Sequence, residues 1–186
     1  TGGWGAYDNG DGADSLINNV NGSFKDLPVE IFENKYPIMI KSYGIRQDSG
    51  GVGAFRGGCG TYREYHLKGP ASLSLWFERS KTTAWGLFGG KSGKAPLVSI
   101  KQPDQEPIEC LKVNSMVLKP GTVVTTHTGG GGAYGKAIDR SPGQVLTDVI
   151  EGYVTRHSAR ADYGVVIDGS MALDMEETAR LRASMT

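Results

Sequence analysis

Positions 71–78, Ala-Ser-Leu-Ser-Leu-Trp-Phe-Glu, alternate with a period of two. Ala71, Leu73, Leu75 and Phe77 fall on one face, and Ser72, Ser74, Trp76 and Glu78 on the other. That is the pattern of a strand buried on one side. The stretch 61–67, TYREYHL, precedes it across Lys68-Gly69-Pro70, so the two predict a hairpin. A further strand is predicted at 36–46, YPIMIKSYGIR, with Pro37 marking its start or a sheet edge. Shorter strands are expected at 96–101, 109–113 and 122–127. Residues 1–35 are polar and rich in Gly and Asn, and predict loop with short extended pieces.

The period changes at Ser141. Ser141-Pro142 reads as an N-cap followed by Pro at the first helical position, and Val145, Leu146, Val149 and Ile150 recur at helical spacing. A second short helix fits 156–163, capped by Thr155 and stopped at Gly164. The tetrapeptide VVID (165–168) predicts a brief strand. Asp174 with Glu177 resembles a capping box and opens a last helix running to about Met185. The expected fold class is α+β. A β-rich domain of short strands with Gly-rich loops covers 1–140, and a small helical C-terminal segment, 141–186, packs on it.

Composition sharpens this in one respect. Glycine makes up 28 of 186 residues, about twice ordinary usage. It recurs as pairs at 2–3, 50–51, 57–58 and 89–90, then as the run Gly129 to Gly132 in THTGGGGAYG (126–135). Such runs are entropically costly and need a structural reason. Twenty basic and 20 acidic residues balance, with no basic stripe, which argues against a nucleic-acid partner. No apolar stretch approaches the length of a membrane span, and no signal peptide is visible. Cys59 and Cys110 are far apart and form no Cys-x-x-Cys pair, which fits a reducing cytoplasm. The opening TGGWGAYDNGDGAD reads like the middle of a larger chain, so a fragment or a processed subunit is expected.

Single motifs do not supply chemistry. GGKS at 89–92 lacks the phosphate-loop glycine, because Trp85 stands at that position and Pro96 follows soon after. Gly130-x-Gly132-x-x-Gly135 has dinucleotide spacing, but no helix opens at once to receive a pyrophosphate. DNGDGAD (8–14) fails the calcium-loop template, which would place Gly10, Gly12 and Asn19 at ligand positions. It reads as a solvated turn. His66 reads as a strand-surface residue and His157 as part of a short helix. His127 stands where a strand meets the glycine run, a place that suits either a functional or a hydrogen-bonded structural histidine. Cys59, between glycines, reads as a small buried residue. No Ser-His-Asp set can be assigned.

Taken together, GGWGAYDNGDGADS, LPVEIFENKYPI, RQDSGGVGAFRGGCGTYREY, FERSKTTAWGLFGG, GGGGAYG and YGVVID occur in the order found in the hydantoinase B/oxoprolinase family. The chain resembles the C-terminal third of that family's large B-type subunit over about residues 1–168. The resemblance implies a partner, a hydantoinase A-type subunit with an actin-like ATPase fold that holds ATP and Mg. It also implies a divalent metal held by His and Asp residues in the remaining, N-terminal part of the B-type subunit, with no metal ligands in this chain. The implied reaction is ATP-dependent hydrolysis of a small cyclic amide through a phosphorylated intermediate shielded from water. The alternatives are a subunit of a ketone carboxylase of the acetone/acetophenone type and a non-catalytic assembly module.

Carried over by motif, Glu30 matches the Glu of PVE, and 55–58 matches FRGG. Glu78-Arg79 and Trp85 to Gly90 match the acidic-Arg and PWGLFGG segments, and Gly130 to Gly135 match GGGGYG. Ala84 stands in place of the usual Pro, and Ala133 in place of a Gly. The implied catalytic residues are Glu30 and Arg79. Arg79 can hold a carboxylate or phosphoryl group bidentately, or pair with an acidic neighbour. Glu30 can position water or accept loop amide bonds. Implied site-lining residues are Trp85, Gly89, Gly90, His127, Gly130, Gly131 and Gly132. Trp85 would exclude solvent, and the glycines would let the backbone approach the site or another chain closely.

Overall fold

The structure, a computed structural model, describes residues 2–17 and 26–185. The loop expected at Thr1 and 18–25, with Asn19, lies outside them. Elements are numbered along the chain. β1 (Ile38–Ile45), β2 (Thr61–Leu67), β4 (Leu97–Lys101), β5 (Ile108–Glu109) and β7 (Val123–His127) form one antiparallel sheet in the order β1-β2-β7-β4-β5. β1 starts directly after Pro37 and is an edge strand, where a residue without an N–H costs no ladder bond. β3 (Ala71–Trp76) and β6 (Lys112–Leu118) form a separate two-stranded ribbon.

β3 alternates between half-buried and exposed positions, as its sequence pattern requires. The hairpin expected between β2 and β3 does not form. The Lys68 and Gly69 N–H groups both donate to the Pro37 carbonyl, at 2.7 and 3.2 Å, and Leu67 N–H donates to Thr122. These bonds tie the connection to its neighbours in the sheet, and the chain steps from one layer to the next. Alternation specifies which face is buried, while pairing is decided by long-range partners. Leu73, Leu75 and Phe77 of the ribbon segment pack against Leu67, Val98, Ile100 and Val124. At about 1.5–3 kcal/mol per fully buried side chain, such contacts stabilise a ribbon that would be marginal alone.

A second difference is α1 (Val29–Lys35), inside the stretch expected to be loop. Pro28 precedes it, Glu30 lies in its first turn and Lys35 in its last, matching the helix dipole. The Glu33 carboxylate accepts the Ile40 N–H at 2.7 Å, and the Phe32 ring packs on Tyr36 and Tyr65. Tertiary contacts therefore hold a helix too short to persist alone.

The C-terminal elements follow their caps. α2 (Pro142–Ile150) opens with a capping box in which Ser141 and Gln144 each accept the other's N–H. α3 (Arg156–Tyr163) is capped by the Thr155 hydroxyl and ends at Gly164, whose φ is +62°. β8 (Val166–Ile167) and β9 (Leu173–Asp174) pair, and Asp174 caps α4 (Met175–Ala183) by accepting the Glu177 N–H. Val145, Val154, Ala159, Tyr163 and Val165 form a second core, joined by Val52 and Ala137 from the preceding part of the chain. The fold is α+β. Among the described residues no helix is long and apolar enough to cross a membrane.

Between the two cores lies a bundle of glycine-rich segments with almost no regular secondary structure. Gly3 donates to Gly129, Gly51 to Gly131, Gly131 to Gly58 and Gly58 to Trp4, all at 2.8–3.0 Å. Gly130, Gly131 and Gly132 do not sit at positive φ. They are glycines because of what a side chain would strike. A Cβ would lie 1.8 Å from the Ser49 oxygen at Gly130, 1.8 Å from the Trp4 oxygen at Gly131, and 1.9 Å from the Trp85 oxygen at Gly132. The run is an interior strip of backbone sandwiched by other backbone.

Candidate functional site

The loop DNGDGAD is a solvated turn only at Asp8 and Asn9; Asp11 and Asp14 are engaged by arginines. Asp14 accepts from Arg56 Nη1 at 2.8 Å and from the Cys59 N–H at 2.5 Å. Asp11 accepts the Arg56 main-chain N–H at 2.6 Å and both terminal nitrogens of Arg140 at 2.8 Å. Asp148 on α2 completes the cluster, accepting Arg140 Nε at 2.8 Å and lying 3.5 Å from Arg56 Nε. The network binds the N-terminal loop, the FRGG segment and α2 together.

Burial alone would lower Arg56, yet the hydrogen bond and charge of Asp14 hold it above the ordinary guanidinium value. Arg140 is raised in the same way against burial, by Asp11 and Asp148. Burial pushes the Asp148 carboxyl up, opposed by Arg140 and Arg56. Cys59 is fully buried and its thiol is pushed up by burial, which makes it an inert core residue.

One pocket gathers several of the singled-out residues. A cavity of about 450 Å³ is lined by Phe77, Glu78, Arg79, Lys94, Thr128 and Gly130, among others. The Arg79 guanidinium lies 5.3 Å from the centre of the Trp85 ring, within cation–π range. Arg79 holds φ at +56°, which costs a non-glycine residue about 1–2 kcal/mol. Glu78, its neighbour in sequence, does not pair with it. That carboxylate accepts Lys112 Nζ at 2.7 Å and Trp76 Nε1 at 2.8 Å. Phe77 and Thr128 also border an apolar cleft of about 440 Å³ between the sheet and the ribbon, floored by Leu67, Leu73, Leu75 and Val124.

The other predicted site residues are placed differently. Gly131 and Gly132 lie inside the bundle, and Gly90 faces the Ala133 carbonyl. They approach other segments of the same chain. Gly89, with φ +93°, and Phe88, with φ +51°, form a tight turn closed by Gly90 N–H donating to the Leu87 carbonyl. Glu30 is exposed on α1 and lines neither the pocket nor the cleft. Lys94 carries no mark in the sequence, because only the bundle brings it to the pocket that Arg79 lines. Among the described residues no group of three or more His, Cys, Asp or Glu gathers as a metal cluster.

His127 ends β7 opposite Tyr62 and Leu97, with its ring centre 6.5 Å from that of Tyr62. It does not line the pocket. Burial, with the nearby Arg46 charge, lowers its pKa from 6.5. As pH falls below about 6.5, the unfolded chain takes up a proton here that the folded chain resists. Unfolding free energy therefore falls towards acid in that window. His127→Gln is expected to flatten this dependence. Urea unfolding of both proteins at pH 7.5 and 5 checks it, and equal losses in the two would exclude His127 as the cause.

Known proteins share both this sequence and this geometry. The profile of the family described as hydantoinase B/oxoprolinase matches residues 1–137. The beta chain of the caprolactamase of Pseudomonas jessenii is 34% identical over 168 residues, covering 88% of this chain and 29% of the relative. The crystal structure of the ATP-dependent caprolactamase from that organism superposes with a TM-score of 0.82 at 30% identity, over 98% of this chain and 32% of the other. A relative in Pseudomonas sp. (strain NS671), named as the putative B-type subunit of a D-/L-hydantoinase, is 30% identical over 176 residues, covering 92% of this chain and 29% of its own length. A nucleotide-free acetone carboxylase structure shares the fold with a TM-score of 0.80 at 22% identity, over 99% of this chain and 29% of that one. The chain thus spans less than a third of the length of these relatives.

Proposed function

The chain belongs to the hydantoinase B/oxoprolinase family, and from that premise we propose that it forms part of the B-type subunit of an ATP-dependent enzyme that hydrolyses a small cyclic amide. In this reading an A-type ATPase subunit holds ATP and Mg and supplies the phosphoryl group. The remainder of the B-type subunit holds a divalent metal. The present chain supplies a rigid wall of the shared site. The identity to the hydantoinase and caprolactamase relatives supports the amide. The likeness to acetone carboxylase is one of fold and does not favour a ketone substrate.

The observation that carries the reading is Trp85. It is 64% exposed, yet its backbone is wedged against Gly132 and its ring is engaged by Arg79. Its ring does not itself line the pocket but stands beside Arg79, which does, and a large exposed apolar surface there is suited to closing a site against another surface. Closure would keep water from a phosphorylated intermediate until ring opening. Trp85→Ala in the assembled enzyme is expected to lower ring opening about tenfold and to raise the ADP released per ring opened. Turnover and coupling both unchanged would remove Trp85 from the site and favour a non-catalytic assembly role for this chain.

A further inference from the structure

We infer that Arg79 and Lys94 together form an anion subsite for the carboxylate or phosphoryl oxygens of a small ligand. The link of that ligand to catalysis rests on the function proposed above; the binding itself does not. Both cations border the same cavity. Among the described residues neither makes an ion pair. Their situation contrasts with that of Arg56, Arg140 and Lys112. Arg56 and Arg140 are neutralised by Asp11, Asp14 and Asp148, and Lys112 already occupies Glu78.

The two side chains are also held at fixed roots. The Lys94 N–H donates to the Ser49 carbonyl at 2.8 Å, and its own carbonyl accepts Gly130 N–H at 3.1 Å. Arg79 is rooted at a left-handed backbone position and supported by the Trp85 ring. Such strain persists only where its surroundings impose it, and it collects at functional positions. A guanidinium drawn to an aromatic ring without a carboxylate partner can offer its donor edge to two oxygens of one group. The ammonium adds a second charge without a fixed direction. Carboxylate and phosphoryl groups share the paired oxygens that this arrangement recognises.

The test is isothermal titration of the full chain at low salt, without ATP. The probes are inorganic phosphate, 5-oxoproline and 2-pyrrolidinone, the last being the same ring without a carboxylate. Phosphate or 5-oxoproline is expected to bind, and 2-pyrrolidinone at least about tenfold more weakly than the anion that binds. Phosphate alone would assign the subsite to phosphoryl oxygens, and 5-oxoproline alone to a carboxylate. Lys94→Ala is expected to weaken binding about tenfold. Arg79→Gly is the decisive variant. Glycine accepts a φ of +56° without strain, so this variant should melt no lower than the parent while losing the anion. Unchanged binding in Arg79→Gly, or 2-pyrrolidinone binding as tightly as the anions, overturns the subsite. Failure of the assembled enzyme to open a cyclic amide would overturn the proposed function and leave this result standing.

Discussion

Gly131→Ala is expected to abolish the folded state, or to lower its unfolding free energy by about 4 kcal/mol or more. The added Cβ would lie 1.8 Å from the Trp4 oxygen, 2.2 Å from the Trp4 carbonyl carbon and 2.7 Å from the Gly5 nitrogen. Carbon atoms pack comfortably at about 3.5–4.0 Å, so the segments would have to separate by more than about 1 Å. All of the nearby atoms are backbone, and no side chain can swing away. Gly131 also donates to Gly58 and accepts from Gly51, and each such bond is worth about 1 kcal/mol net. With overpacking at about 1–3 kcal/mol, the loss takes a large share of the roughly 5–15 kcal/mol typical of a domain. Gly129→Ala is the matched control. Its nearest neighbour would be the Lys94 oxygen at 3.3 Å, so a small adjustment accommodates it. Thermal melts followed by circular dichroism compare the two. A Gly131→Ala melt within a few degrees of wild type would show that the strip is not packed backbone against backbone.

The second large effect is expected from Asp148→Ala. This carboxylate is shared by two buried arginines, and its loss leaves Arg140 and Arg56 with one acidic partner each. With charge still balanced, the cost is that of leaving the buried Arg140 Nε without its acceptor, about 1–3 kcal/mol and more for a charged donor. Glu176→Ala should cost almost nothing by comparison, since its partner Arg180 is mostly in solvent. Urea denaturation midpoints of the two variants measure the contrast. Equal losses would mean that the network does not join the loop, the FRGG segment and α2.

These effects come from features of unequal visibility in the sequence. The alternation of 71–78 gives the buried face of β3, and Ser141-Pro142, Thr155, Asp174 and Gly164 mark the helix ends. Those signals are local, and the structure obeys them. The pairing of β3 with β6, and not β2, depends on residues some 40 positions away and has no local mark. α1 has weak propensity and is held by Phe32 and Glu33 contacts. Asp11 and Asp14 look like turn residues in the sequence because their arginine partners lie 129 and 42 positions away.

The candidate site is legible to a similar degree. The motif resemblance picks out Arg79 and Gly130, which the fold brings to one pocket, and Trp85, whose ring neighbours the Arg79 guanidinium. The other glycines of the run build the scaffold that holds them. Glu30 and His127 lie on separate elements outside that pocket. Lys94 has no sequence signal because its relation to Arg79 exists only once the glycine segments have stacked.

The nucleotide and substrate balance of the assembled enzyme separates cyclic-amide hydrolysis from the alternatives most sharply. ADP release would be measured with hydantoin, 5-oxoproline or caprolactam in one set, and with acetone or acetophenone plus bicarbonate in the other. The expected result is ADP release coupled to ring opening with at least one cyclic amide, no dependence on bicarbonate, and no turnover by the 186-residue chain alone. Release that requires a ketone and bicarbonate, or ring opening by the isolated chain, would contradict the proposed function.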